Sequence, residues 1–236
     1  MLPPMGLTAA EWEIVELSLR VSLLAIVLTL PFAFALAWVL ARTRFPGKVL
    51  LDAVVHLPLV LPPVVTGWVL LLLFGANGPA GRLLADLFGI ELMFRWTGAA
   101  LAAAVMSLPL MVRAIRLSLE AVDRKLEGAA RTLGAGPWRT FFEITLPLCY
   151  PGVVAAMVLG FARSIGEFGA TITFVSNIPG ETRTLPLAIY TALQLPGGEA
   201  TVTRLALISV ALSLGSLVLS EWLARRGAHG KGAHVL

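Results

Sequence analysis

The sequence predicts an all-α integral membrane protein, and three observations carry that class. Of 236 residues, 58% are hydrophobic and 14% charged, with a mean hydropathy of +0.87; a soluble domain is roughly a quarter charged. The apolar residues gather into runs close to the ~20 that a helix needs to cross about 30 Å of hydrocarbon. The charges fall almost entirely between those runs. The net charge of +4 comes without a basic face carrying interleaved aromatics, which argues against a nucleic-acid partner. A single cysteine, Cys149, excludes an internal disulfide framework, and His56, His229 and His234 have no metal-ligand spacing.

Five spans follow in order. Residues 21–41 lie between Arg20 and Arg42 without a charge. A cleaved leader suits this run poorly, because Glu11, Glu13 and Glu16 precede it and Arg20 is the only base there. Residues 57–74 contain Pro58, Pro62 and Pro63, which kink a helix but are tolerated where neighbouring helices satisfy the freed carbonyls. Residues 97–112 carry Gly98 and a row of alanines, the small residues that let membrane helices approach closely. The fourth span is residues 148–175, interrupted by Arg163 and Glu167, and the fifth is residues 202–223.

Charge sets the orientation. Twelve bases (Arg42, Arg44, Lys48, Arg113, Arg116, Arg124, Lys125, Arg131, Arg139, Arg225, Arg226 and Lys231) share one side, against Arg20, Arg82, Arg95, Arg183 and Arg204 on the other. The richer side is expected to be cytoplasmic, placing the N-terminus outside and the C-terminus inside.

The segment 123–147 is patterned beyond a connector. Leu126, Ala129, Ala130 and Leu133 fall on one helical face, Gly134 suits a helix end, and Pro137 suits the first turn of a second helix. Trp138, Phe141 and Phe142 give that second helix a bulky apolar surface. Pattern alone leaves two readings: an amphipathic helix resting on the membrane interface, or a docking element for a partner.

This segment resembles the signature loop of binding-protein-dependent ABC permeases: Glu-Ala-Ala, three residues, Gly, nine residues, Ile, one residue, Leu-Pro. Ala129, Ala130, Gly134, Ile144, Leu146 and Pro147 fall on that spacing. Gly128 stands where the family has Glu, and Glu127 lies one place earlier. The resemblance covers residues 14–223, leaving 224–236 as a cytoplasmic tail, and segments 56–65, 126–136 and 161–184 look more like molybdate permeases than sulfate ones.

The resemblance implies a type I importer transmembrane domain of about five spans plus a coupling helix, in the inner membrane. It implies that Glu127, Ala129, Ala130, Gly134, Trp138, Phe141, Ile144, Leu146 and Pro147 couple the chain to an ABC ATPase subunit, with Trp138 or Phe141 as an apolar anchor. The other implied partners are a periplasmic or lipid-anchored molybdate-binding protein, a second copy of the permease, and membrane lipid. No cofactor is expected in this chain, and ATP would sit on the ATPase, since no G-x-x-x-x-G-K-[ST] run occurs here. A sulfate, thiosulfate or tungstate permease is the alternative.

Arg163 and Glu167 stand four apart and can pair. Charges at membrane depth are costly and face a bundle interior or a water-filled path. The pair, with Pro62 and Pro63, therefore either lines or gates an oxyanion path or locks the bundle structurally. The polar loop 176–184 should face outside; there Asn177, Glu181 and Arg183 either receive the binding protein, as the resemblance implies, or form a plain connector. An intramembrane enzyme fits less well, because no Gly-x-Ser-x-Gly occurs and Asp52, Asp86 and Asp123 are assigned to loops. A self-contained channel fits less well too, lacking a carbonyl filter or a ring of like charges.

Overall fold

A computed structural model describes residues 7–229. These form α1 (Ala9–Arg42), α2 (Lys48–Val60), α3 (Pro63–Phe74), α4 (Pro79–Phe88), α5 (Trp96–Ala121), α6 (Arg124–Thr132), α7 (Pro137–Thr140), α8 (Leu146–Ile165), α9 (Gly169–Val175), α10 (Leu185–Leu193) and α11 (Glu199–His229). Four helical stretches are long and apolar enough to cross a membrane, and α2 with α3 supplies a fifth, broken one.

Helix α1 starts twelve residues before the expected span. Thr8 and Glu11 form a capping box there: the Glu11 N–H donates to Thr8 Oγ1 at 3.2 Å and the Thr8 N–H to Glu11 Oε2 at 2.8 Å. Glu11 also binds Arg204 of α11, with Nη2 at 2.6 Å from Oε1, tying the first and last spans at one end. The fifth span accordingly begins at Glu199, and α11 continues past the expected end at 223. Residues 230–236 of the expected tail lie outside the described residues.

Two expected spans are broken. The run 57–74 is two helices, bent by 115° after Leu61. Pro62 and Pro63 supply no amide hydrogens there, and Pro63 instead opens α3 as its first residue. The inner-core cluster of Leu40, Ile115 and Cys149 receives Val55 of α2, whereas Leu70 of α3 packs with Val21 and Ala100 at the opposite half of the bundle. The pair thus crosses the layer despite its bend. The run 148–175 starts earlier and stops earlier than expected. Helical structure begins at Pro137 and passes through a wide π turn, Phe141–Thr145, where the Leu146 N–H reaches back to the Phe141 carbonyl. The wide turn comes just before Pro147, whose ring would clash with the carbonyl four residues back in a regular helix. The run then breaks at Gly166, and α9 begins at Gly169. Asp52 and Asp86, assigned to loops, lie on α2 and α4: Asp52 falls in the first turns of α2, ahead of the apolar run 57–74, and α4 is too short to carry such a run.

The core is built from small residues. Ala99, Ala100, Ala102 and Ala103 of α5 are fully or almost fully buried against α1 and α3. Helices α3 and α9 touch through glycine: a Cβ on Gly67 would lie 2.6 Å from the Ala170 carbonyl oxygen, and one on Gly169 would lie 2.7 Å from Pro63 Cβ. Gly67→Val should therefore lower stability by about 1–3 kcal/mol, the range for overpacking. A depressed thermal midpoint of the purified protein checks this. Gly128→Ala, which has open space around it in the middle of α6, should not lower the midpoint.

Candidate functional site

The segment 123–147 folds as a helix, a tight turn and a second helix. Asp123 caps α6 by accepting the Lys125 N–H at 2.9 Å. Gly134 takes a left-handed φ of 88° at the other end, and the Ala135 N–H returns to the Ala130 carbonyl. Pro137 then starts α7. No residue of α6 is buried. Leu133 is 88% exposed and Trp138 75%, with Trp138 stacked on exposed Phe142 at 6.3 Å between centroids.

One carboxylate holds this exposed element to the bundle. Glu127 Oε1 accepts from Arg42 Nη2 of α1 and from Thr145 Oγ1 of the π turn, each at 2.8 Å. The Arg42 guanidinium also lies over the Trp38 ring at 5.7 Å, and Arg124 donates to the Ala41 carbonyl at 3.3 Å. Phe141 points inward, edge-on to Trp38 at 5.3 Å and to Phe34 at 5.9 Å. Of the two aromatics offered as the apolar anchor, Trp138 therefore faces out, whereas Phe141 is half-buried against Trp38 and Phe34. Between them runs a groove of about 300 Å³ lined by Trp38, Glu127, Arg131 and Trp138. Ala129 is exposed, Ala130 and Ile144 are half-buried, and Leu146 and Pro147 open α8, with Leu146 packed on the inner core.

The intramembrane charges meet at the break after α8. Arg163 Nη1 lies 2.5 Å from Glu167 Oε2; the Glu167 side chain is 2% exposed and that of Arg163 24%. Glu167 Oε1 accepts the Ala170 N–H at 2.8 Å, so the same carboxylate caps α9. Pro63 lies against Gly169, two residues on, so the two helix breaks adjoin. The Pro62 carbonyl accepts the Val65 and Thr66 N–H groups in the first turn of α3.

The sequence profile described as "Binding-protein-dependent transport system inner membrane component" matches residues 29–228. The chain belongs to that family. This permease is 65% identical to the Molybdenum transport system permease protein ModB of Escherichia coli strain K12 over 221 residues, 94% of this chain and 96% of that one. It is 58% identical to the ModB protein of Haemophilus influenzae over 216 residues, 92% and 94% of the two chains. Its fold matches a crystal structure of a bacterial ABC transporter involved in the import of the acidic polysaccharide alginate, with a TM-score of 0.73 at 16% identity, covering 93% of this chain and 80% of that one. The family is one of type I importer transmembrane domains, and the permease is accordingly a multi-pass membrane protein.

In this permease the expected outward loop 176–184 is an ordered turn. Thr182 is fully buried; its Oγ1 accepts the Ile178 N–H at 2.8 Å and donates to the Ser176 carbonyl at 3.1 Å. Arg183 Nε donates to Asn177 Oδ1 at 2.9 Å, and Asn177 Nδ2 donates to Thr191 Oγ1 of α10 at 2.8 Å. Arg183 and Asn177 are thus brought together and both half-buried, while Glu181 has no hydrogen bond to either among the described residues. The pairs Arg42–Glu127 and Glu11–Arg204 are not predicted from sequence. Their one local sign is a charge at each edge of an apolar run.

Proposed function

We propose that this chain is the membrane-spanning permease subunit of a molybdate importer, driven by ATP hydrolysis on a separate subunit and supplied by an extracytoplasmic molybdate-binding protein. The observation that carries the substrate is the 65% identity to a molybdenum permease along nearly the whole of both chains. Within this reading the permease is not itself catalytic, and α6 with the exposed Trp138 and Phe142 forms the surface that meets the ATPase. Two such surfaces fit a homodimer, one per ATPase. The basic residues support the orientation: Arg42, Lys48, Arg124, Lys125, Arg131 and Arg139 lie at the end of the bundle where α6 sits, so that end is assigned to the cytoplasm. The ion pair Arg163–Glu167 is assigned to holding the α8–α9 break, supported by the second bond of Glu167 to the α9 backbone. Asn177 and Arg183 are assigned to shaping the outer turn, and Glu181 to contact with the binding protein.

Uptake of labelled molybdate by cells with and without the chain tests the substrate. The expected result is chain-dependent uptake that unlabelled tungstate suppresses and equimolar sulfate does not. Chain-dependent sulfate uptake without molybdate uptake would overturn the substrate and leave the architecture standing.

A further inference from the structure

Helix α4 has no role in the coupling surface or the ion pair. It joins α3 to α5 at the end of the bundle opposite α6, and it is amphipathic. At ten residues it is too short to span. Its rotation is fixed by a close contact: a Cβ on Gly81 would collide with the Gly75 carbonyl oxygen, so this face lies on the end of α3. Leu83 and Leu87, one turn apart, stand on the far side and are 59% and 66% exposed. Exposed Phe88 and Ile90 follow at the C-terminal end of α4, while Phe94 returns to the cleft beside Gly75, Gly81 and Ala85. Arg82 and Asp86 occupy the remaining arc, both exposed.

We infer that α4 lies in the outer face of the bilayer, with Leu83, Leu87 and Phe88 inserted at the boundary between headgroups and acyl chains. Three observations select lipid as the occupant. Four residues, 75–78, connect α4 to a span, and their five backbone steps keep it within about 18 Å of that span's end. The adjoining span presents apolar side chains outward as well, with Trp68 and Leu72 of α3 both exposed. Two tryptophans mark the same end of the bundle, exposed Trp12 in the first turn of α1 and half-buried Trp96 at the start of α5, and tryptophan favours the membrane interface. Phe94 is held at a left-handed φ of 58°, a costly conformation for a bulky residue, and is still half exposed. Only the choice of leaflet rests on the orientation proposed above.

The test uses the permease assembled with its ATPase in nanodiscs containing phospholipid spin-labelled near the headgroup. Single variants Leu83→Cys, Leu87→Cys, Arg82→Cys and Asp86→Cys are labelled with a fluorescent maleimide; buried Cys149 in the parent chain sets the background. Probes at positions 83 and 87 should be quenched at least twofold more than those at 82 and 86, with blue-shifted emission. Equal quenching at all four positions would overturn the inference. So would a disulfide between two copies at position 87, or shielding of position 87 only on adding the binding protein, since a protein surface would then cover α4. The measurement needs no transport, so a permease that failed to import molybdate would leave its outcome readable.

Discussion

Glu167→Ala is expected to destabilise the permease by about 3–5 kcal/mol, the range for breaking a buried ion pair from one side. The carboxylate is 2% exposed and satisfies two donors, the Arg163 guanidinium and the Ala170 N–H. Its removal leaves an arginine that cannot shed its proton. It also removes the cap of α9, worth about 1 kcal/mol in ordinary helices. The Arg163 side chain is 24% exposed and can turn partly toward water, which puts the expectation near the lower end of the range. Arg163→Ala should cost less, because Glu167 keeps its bond to α9. Glu167→Gln should fall between the two, retaining an acceptor for Ala170 while leaving the guanidinium unpaired. Thermal midpoints of the purified variants read this order. An unchanged midpoint in Glu167→Ala, or lost uptake in an Arg163→Ala protein of parental stability, would move the pair from a structural lock to the transport path.

Elements with local causes are legible in the sequence. Gly134 and Pro137 mark the turn between α6 and α7 because each imposes its backbone geometry regardless of neighbours. The alanine row of the third span likewise forms the buried face of α5. Breaks inside apolar runs are less legible. Gly166-Glu167-Phe168-Gly169 ends α8, yet hydropathy on both sides is high enough to read as one span. Partnerships across the fold are not legible at all. Arg42 and Glu127 are 85 residues apart, and Glu11 and Arg204 are 193 apart. Helical periodicity reports which residues share a face, not which remote residue that face will meet. Phe141 shows the same limit: its spacing groups it with Trp138, but the π turn directs it to Trp38.

Glu127→Ala is expected to reduce molybdate uptake at least tenfold while the permease still inserts and assembles. Helix α6 buries no residue of its own, so its position depends on few ties. The strongest is Glu127 Oε1, shared by Arg42 of α1 and Thr145 of the π turn. The Arg124 bond to the Ala41 carbonyl, at 3.3 Å, is long and solvent-exposed. A lever transmits ATPase closure only while it is rigidly joined to the helices it moves. Hydrogen bonds to a charged group contribute about 1.5–3 kcal/mol each, and about 1.4 kcal/mol is tenfold in a population. Losing this carboxylate should therefore free α6 to move without its spans, giving ATP hydrolysis without uptake. Glu127→Gln keeps an acceptor for Thr145 and should retain part of the coupling. Adding Gly128→Glu to Glu127→Ala restores the family's residue at its usual place but should not rescue uptake. Adjacent helical positions point about 100° apart, so the new carboxylate is directed away from Arg42, into space that the structure leaves open around Gly128. Parental uptake in Glu127→Ala, or full rescue by Gly128→Glu, would show that Glu127 does not hold the lever.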